Sequence, residues 1–376
     1  MEVMTRWRTA GRFSVNRFSK SHIIYRRKQC QVLILRSSCS LMCLYVLGGV
    51  MFLLGVGLCV FNLRKASTGN ARATAMLVIW THPFGHIRKL PDCEARYGVS
   101  GCTLTDNRLA YPSADAVIFH HREIATNVSA IPLDPRPRDQ KWIWMNFESP
   151  SHTRNLKRFE GMFNLTMSYR ADSDIFLPYG YLVSRHSTHG HPLHVPSSPH
   201  PRPCLLAWVI SNWAESQARV AFYRQLSRYV RVDVFGRAGL ALPGDSLVRT
   251  VARYQFYLAL ENSKHTDYIT EKVWNALRAG AIPIVLGPTR ENYERFLPAE
   301  SFIHVDDFAS VRGLAQYLRL LWRSPAHLER HLSWRRSYSM HQPAFWAEHF
   351  CTVCHVVMKA RGRTSTVEGL ARWFQS

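Results

Sequence analysis

Three charged side chains stand where a chain that builds parallel α/β sheets keeps its chemistry. Glu148 closes the apolar run KWIWMNFE (141–148) and is followed by SPSHT. A carboxylate at the C-terminal edge of a sheet is placed to serve as a general base. Arg219 opens a helical stretch after Asn212, and Lys272 opens another after Glu261. Each charge alone is more often an exposed or capping residue. Together, on facing edges of one nucleotide-type domain, the two cations suit a leaving diphosphate.

The elements that must hold these groups are legible around Lys272. In DYITEKVWNALRAGAIPIVLG (267–287), Thr270 is predicted to cap a helix with Glu271 and Lys272 in its first turn. Val273, Trp274 and Leu277 form its apolar stripe, and Gly280 is the expected C-cap. AIPIVLG is the next strand, and FYLAL (256–260), ahead of Glu261 and Asn262, is the preceding one. Strand, loop, helix and strand make the unit of a parallel sheet, whose helix N-terminus favours an anion. Further strands are read at MLVIW (76–80), DAVIFHH (115–121), KWIWMNFE, LLAWVIS (205–211), VRVDVFG (230–236) and FIHVDDF (302–308), with a helix over 217–229. The fold class is α/β, with two Rossmann-like domains facing a cleft.

The N-terminus sets the expected address. From Ser37 to Leu63 there is no charged residue over 27 positions, against roughly 20 needed to span a bilayer. The 36 residues before it hold nine Lys/Arg and one acid, Glu2, so that end is expected to stay cytosolic and the remainder to be translocated. The run is longer and later than a cleaved signal peptide's. The reading is a type II membrane protein: a basic tail (1–36), a transmembrane signal-anchor (37–63) and a short stem (64–74). An N-terminal domain (75–190), a Pro/His-rich connector (191–203) and a C-terminal domain with terminal helices (204–376) follow. The sequons at Asn127 and Asn164 fit lumenal glycosylation. Among the lumenal cysteines, an oxidising compartment allows the local pairs Cys93–Cys102 and Cys351–Cys354, leaving Cys204 over.

The chain carries 48 Lys+Arg against 26 Asp+Glu, a net charge of +22. Without zinc-finger spacing or an RNA-binding aromatic pattern, this charge implies no nucleic-acid partner. Asp172-Ser-Asp174 imitates a metal-binding Asp-X-Asp but reads as a helix-to-strand turn. Cys351-Thr-Val-Cys354-His355 imitates haem attachment, and with His349 a zinc site, but a disulfide suits the compartment better. His120 and His121, adjacent on a strand, are expected to face opposite ways.

FYLALENSKHTDYITEKVWNALRAGAIPIVLGPTRENYERFLPAESFIHVDDF (256–308) resembles the donor-binding signature of the animal α1,3-fucosyltransferases. WIWMNFESPSHT (142–153), FNLTMSYRADSDIFLPYG (163–180) and VIFHHREI (117–124) are similar to that family's other blocks, from about Met76 to Ser376. VRVDVFGRA, ESPSHT and the terminal WFQS look most like its leukocyte-type subgroup. The resemblance implies a GT-B fold and inverting transfer of L-fucose from GDP-fucose to lactosamine on glycoproteins and glycolipids, in the Golgi membrane, with no cofactor and no essential metal. It implies Glu148 as base, and Arg219, Lys272, Glu271, Tyr268 and Asn262 on the donor. It implies His121, Arg122 and Glu123 on the acceptor. Arginine at position 122 accompanies, in that family, transfer to O3 of type 2 chains. The subgroup implies sialylated acceptors and sialyl Lewis x-type products, with transfer mainly to unsialylated lactosamine, or a catalytically silent Golgi glycan-binding protein, as the alternative readings. One departure is the absence of a Cys-X-X-Cys from GRAGLALPGDSLVRT (236–250).

Overall fold

Short apolar runs separated by crossover segments build two parallel sheets, because a strand can rejoin its neighbour in parallel only after a long return connection. The structure, a computed structural model, describes residues 74–126, 131–185 and 202–376. The expected tail, anchor and most of the stem, the Asn127 sequon and most of the Pro/His-rich connector lie outside the described residues. Among the described residues no helix is long and apolar enough to cross a membrane.

The first half contains β1 (Ala75–Ile79), α1 (Cys93–Tyr97), β2 (Cys102–Thr105), β3 (Ala116–His120), α2 (His121–Thr126), β4 (Lys141–Asn146), β5 (Leu165–Ser168) and β6 (Ile175–Phe176). Its strands are all parallel, in the order β2-β1-β3-β4-β5-β6. Every residue of β3 and β4 is buried, as expected of central strands covered on both faces. After β7 (Tyr181–Ser184) the second half runs β8 (Cys204–Val209), α3 (Ala218–Leu226), β9 (Asp233–Phe235), α4 (Leu247–Val251), β10 (Tyr254–Leu260), α5 (Glu271–Ala279), β11 (Ile282–Leu286), α6 (Arg290–Glu294), β12 (Ile303–His304), α7 (Val311–Arg323) and α8 (Pro325–Leu332). Its sheet is parallel in the order β12-β11-β10-β8-β9.

The expected strand–loop–helix–strand unit is β10, α5 and β11. Gly280 ends α5 in the left-handed region at φ 77°, with its N–H bonded back to Ala276 and Leu277. Thr270 occupies the N-cap position but does not cap. Its hydroxyl donates to Glu261 instead, because a carboxylate buried this deeply must be supplied with donors. Other elements are shorter than expected. FIHVDDF pairs only through Ile303–His304, since His304 Nδ1 accepts from the Asp306 amide and turns the chain. The strand DAVIFHH stops at His120, and His121 begins α2.

The chain then returns to its first half. β13 (Tyr338–His341) pairs antiparallel with β7, and α9 (Ala347–Lys359) and α10 (Leu370–Gln375) pack on opposite faces of the first sheet. The terminal helices of the 204–376 segment therefore complete the N-terminal core. Cys351 and Cys354, three residues apart, share one face of α9. That helix lies against α1 and β2, and the disulfides are Cys93–Cys351 and Cys102–Cys354, with Cα separations of 5.3 and 5.7 Å. The local pairing expected from sequence is thus corrected: each bond spans more than 250 residues, 258 and 252, and staples the terminal helix to the first half. Cys204 is free.

Among the described residues, burial opposes protonation most strongly at two histidines. Burial pushes His121 down to about 4, and burial among Phe147, Phe345 and Trp346 pushes His349 down to about 3. Through the window between those values and the ordinary 6.5, the unfolded chain binds more protons than the folded one. Stability therefore rises with pH there and is lost on acidification. The melting temperature is expected to drop from roughly pH 7 to about 5, and His349→Phe to flatten that slope; an unchanged slope would remove His349 from the account.

Candidate active site

Parallel strands deliver their C-terminal ends to one edge, and residues following four of them line a single cleft of about 730 Å³ between the halves. His121 and Arg122 follow β3, Glu148 follows β4, Asn212 follows β8, and Asn262 follows β10. Glu271 enters from the first turn of α5, and Gln342, Phe345 and Trp346 from the returning C-terminal segment. Phe84 and Arg88 close the outer wall.

The turn carrying Glu148 is shaped by its neighbours. Asn146 Nδ2 donates to Thr153 Oγ1 at 2.9 Å, the Thr153 hydroxyl donates to the Ser149 carbonyl at 2.8 Å, and the Glu148 amide donates to Asn146 Oδ1 at 3.2 Å. Glu148 itself is exposed to the cleft. Its Oε1 accepts from the Tyr268 hydroxyl at 2.8 Å and from the Ser149 amide at 3.1 Å. The Tyr179 hydroxyl donates to the Phe147 carbonyl at 2.5 Å, fixing the residue before the carboxylate. Two contacts hold the turn to the opposite half: the Ser263 hydroxyl donates to Ser149 Oγ at 2.7 Å, and Ser151 Oγ meets His265 Nε2 at 2.7 Å.

The two cations expected on the donor, Arg219 and Lys272, lie just behind the cleft wall. Lys272 Nζ donates to Thr270 Oγ1 at 2.6 Å, to Glu261 at 2.8 Å and to Glu271 at 3.2 Å. Burial opposes its charge, but Glu261 and Glu271 outweigh that penalty and hold its pKa above the ordinary lysine value. Glu261, with a side chain only 1% exposed, also accepts the Thr270 amide at 2.9 Å. The anion at the N-terminus of α5 is therefore a carboxylate of the chain itself. Buried Arg219 donates to the Asn212 carbonyl at 2.7 Å and to Gln217 Oε1 at 2.8 Å, directly behind a residue of the cleft. Burial lowers its pKa, while Glu261, Tyr268 and Glu271 act on its charge in the opposite sense.

The expected residues divide by this geometry. Glu148, Asn262, Glu271, Arg122 and His121 line the cleft, whereas Arg219, Lys272 and Tyr268 stand one layer behind it. Both ring nitrogens of His121 are engaged by the protein: Nε2 with the Arg154 carbonyl at 2.8 Å, and Nδ1 as acceptor of the Trp144 indole N–H at 3.0 Å. Glu123 is hydrogen-bonded to His120. The paired histidines take different neighbours, His120 packing on Phe84 and Trp346 and His121 on Trp144 and Phe159, as expected of adjacent residues leaving a strand. Asp172 is bound by Arg170 and the Trp373 indole, and Asp174 accepts from the Thr166 amide and hydroxyl, each at 2.8 Å. Those two acids shape a turn. Asn164 is knitted into the fold, its carboxamide accepting from the Trp142 amide and donating to the Ser365 carbonyl.

Sequence reasoning missed Glu261 as the partner of Lys272, although an acid directly after the apolar run FYLAL marks it. It also missed Phe84, Phe345 and Trp346. Phe84 is 49% exposed at φ 60°, with the Arg122 guanidinium 5.0 Å from its ring centre. Nothing in the spacing of residues 84, 122 and 346 announces their convergence.

Comparison with known proteins shows the family. A family described as fucosyltransferase, N-terminal, matches residues 72–180, and glycosyltransferase family 10 (fucosyltransferase), C-terminal, matches residues 200–373. The chain is 47% identical over 340 residues to alpha-(1,3)-fucosyltransferase 4 of Bos taurus, across 80% of this chain and 85% of that protein. It is 47% identical over 317 residues to the 4-galactosyl-N-acetylglucosaminide 3-alpha-L-fucosyltransferase FUT6 of Homo sapiens, across 82% of this chain and 85% of that one. A crystal structure of an alpha1,3-fucosyltransferase with GDP-fucose aligns with 77% of this chain and 89% of its own, at 17% identity and a TM-score of 0.47. By the two family matches and the identity to its relatives, the chain belongs to glycosyltransferase family 10 and, within it, to the animal α1,3-fucosyltransferases.

Proposed function

We propose that the cleft moves L-fucose from GDP-fucose to O3 of the GlcNAc in type 2 lactosamine, with inversion, in a GT-B arrangement. The observation that carries the reading is Glu148, a carboxylate open to the cleft, with Asn262 and Glu271 of the donor-side domain across from it. The acceptor hydroxyl gives its proton to Glu148 as its oxygen bonds to the fucose anomeric carbon. The bond from that carbon to the phosphate oxygen breaks, and GDP leaves. Arg219 and Lys272, behind the wall, take up the charge that develops on the diphosphate, so the chemistry asks for no metal. One base acting opposite a leaving group is the logic of inverting glycosidases, with a sugar hydroxyl in place of water. The human relative's name, a 3-fucosyltransferase of 4-galactosyl-N-acetylglucosaminide, supports the type 2 acceptor. The apolar run at 37–63 supports residence in the Golgi membrane with the cleft in the lumen.

Sialylated acceptors are the favoured subset. Support comes from the leukocyte-type resemblance and from the cations that line the acceptor side, Arg88, Arg122 and Arg154. A guanidinium offers fixed paired donors to a carboxylate or to sugar hydroxyls. The experiment is turnover of GDP-fucose by a fragment from Ala66 onward, against sialylated and unsialylated type 1 and type 2 acceptors. Arg122→Trp exchanges the donor fork for a stacking face. It is expected to lower type 2 activity and raise the type 1 to type 2 ratio; an unchanged ratio would withdraw Arg122 from acceptor choice.

A further inference from the structure

Tyr268 belongs to the donor-binding block by sequence, yet its hydroxyl serves a residue 120 positions away in the other half of the molecule. The ring is 3% exposed and sits in an aromatic stack, with Tyr169 at 5.1 Å, and Phe374 of the C-terminal helix 6.0 Å beyond that. Trp144 of β4 meets the same Phe374 at 4.9 Å. The stack fixes where the phenol oxygen stands. Burial, first, and then the nearby Tyr179 and Glu148 push the phenol's pKa well above its ordinary value, so the hydroxyl keeps its proton and donates.

Both donors that reach Glu148 land on one oxygen. Oε1 accepts from Tyr268 and from the Ser149 amide, while among the described residues Oε2 accepts from none. The geometry points to Tyr268 as a positioning residue for the base: with the Ser149 amide it occupies Oε1, fixes the carboxylate plane and leaves Oε2 as the atom that takes the acceptor's proton. Because the hydroxyl comes from the loop between Asn262 and Lys272, the base is set by the same segment that meets the donor. Any movement of that loop when GDP-fucose binds is passed directly to Glu148.

The inference rests on Glu148 being the base, and the experiment separates the two. The full-length protein is compared with Tyr268→Phe, Glu148→Gln and the double variant, measuring turnover against pH and affinity for GDP. Tyr268→Phe keeps the ring and removes the donor. It is expected to lower kcat by roughly 10- to 100-fold with little change in the KM for GDP-fucose or in GDP affinity. The acidic limb of kcat/KM moves to higher pH, because a carboxylate that loses a donor takes a proton more readily. In the Glu148→Gln background the same change is expected to cost almost nothing further, since its effect runs through that carboxylate. Replacing Tyr268 by 3-fluorotyrosine, a stronger donor of nearly the same shape, moves the limb to lower pH and tests the idea should the phenylalanine variant fold poorly. Equal losses in both backgrounds, or weakened GDP binding with an unmoved acidic limb, would overturn the positioning role and make Tyr268 a donor-binding residue. Near-normal turnover of Glu148→Gln would instead remove the base assignment itself.

Discussion

Glu148→Gln is expected to reduce turnover by roughly 10²–10⁴ while GDP affinity stays within about twofold. The amide keeps the shape of the side chain and can still accept from Tyr268 and Ser149 through its oxygen. It has no basic oxygen left for the acceptor's proton. In the proposed reading the donor is held by the other half of the molecule, where Arg219 and Lys272 are found, so affinity and turnover should separate. Single-turnover rates together with calorimetric GDP binding measure both. A parallel loss of the two would mean that Glu148 holds the donor or the fold, and normal turnover would mean that it does nothing essential.

The second large effect is expected at Lys272. Its ammonium is the partner of Glu261, a carboxylate with almost no exposure. Lys272→Ala leaves that carboxylate with only Thr270 to satisfy it, and breaking a buried pair in this way costs about 3–5 kcal/mol. A clear drop in melting temperature should accompany a fall in GDP affinity of roughly 10- to 100-fold, the worth of one charge-assisted contact. The two consequences come apart in Lys272→Ala with Glu261→Gln. Removing the stranded charge should restore much of the stability, because a neutral amide can still accept from Thr270. It should not restore GDP affinity. Recovery of both would show that Lys272 supports the donor site only by neutralising Glu261.

What was legible in the sequence follows from what is local. The unit around α5 was read because an apolar run, three stripe residues and a left-handed glycine all lie within about thirty residues, and each acts through its neighbours in the chain. Glu148 was read because a parallel sheet carries its chemistry at strand C-termini. The α/β class followed from the same alternation. Contacts decided by tertiary packing were not legible. Cys351 looked paired with Cys354 because spacing says nothing of the face that α9 turns toward α1 and β2. The hydrogen bond from Tyr268 to Glu148 crosses the cleft, so nothing in the local sequence announces it. The return of α9 and α10 to the first half was hidden because their apolar residues would suit either core. At Thr270 the local rule failed for a stated reason, the demand of buried Glu261 for donors.

The central claim is that this cleft joins fucose to O3 of a type 2 GlcNAc with Glu148 as base, and the covalent product tests it most directly. Full-length protein, GDP-fucose and a sialylated Galβ1-4GlcNAc acceptor are incubated, and the purified product is examined by NMR. The expected spectrum has one new α-fucosyl residue, attached at O3 of GlcNAc, and the Glu148→Gln protein forms that product at least about a hundredfold more slowly. Attachment at O4, a β linkage, or release of GDP without a glycosidic product would contradict the account.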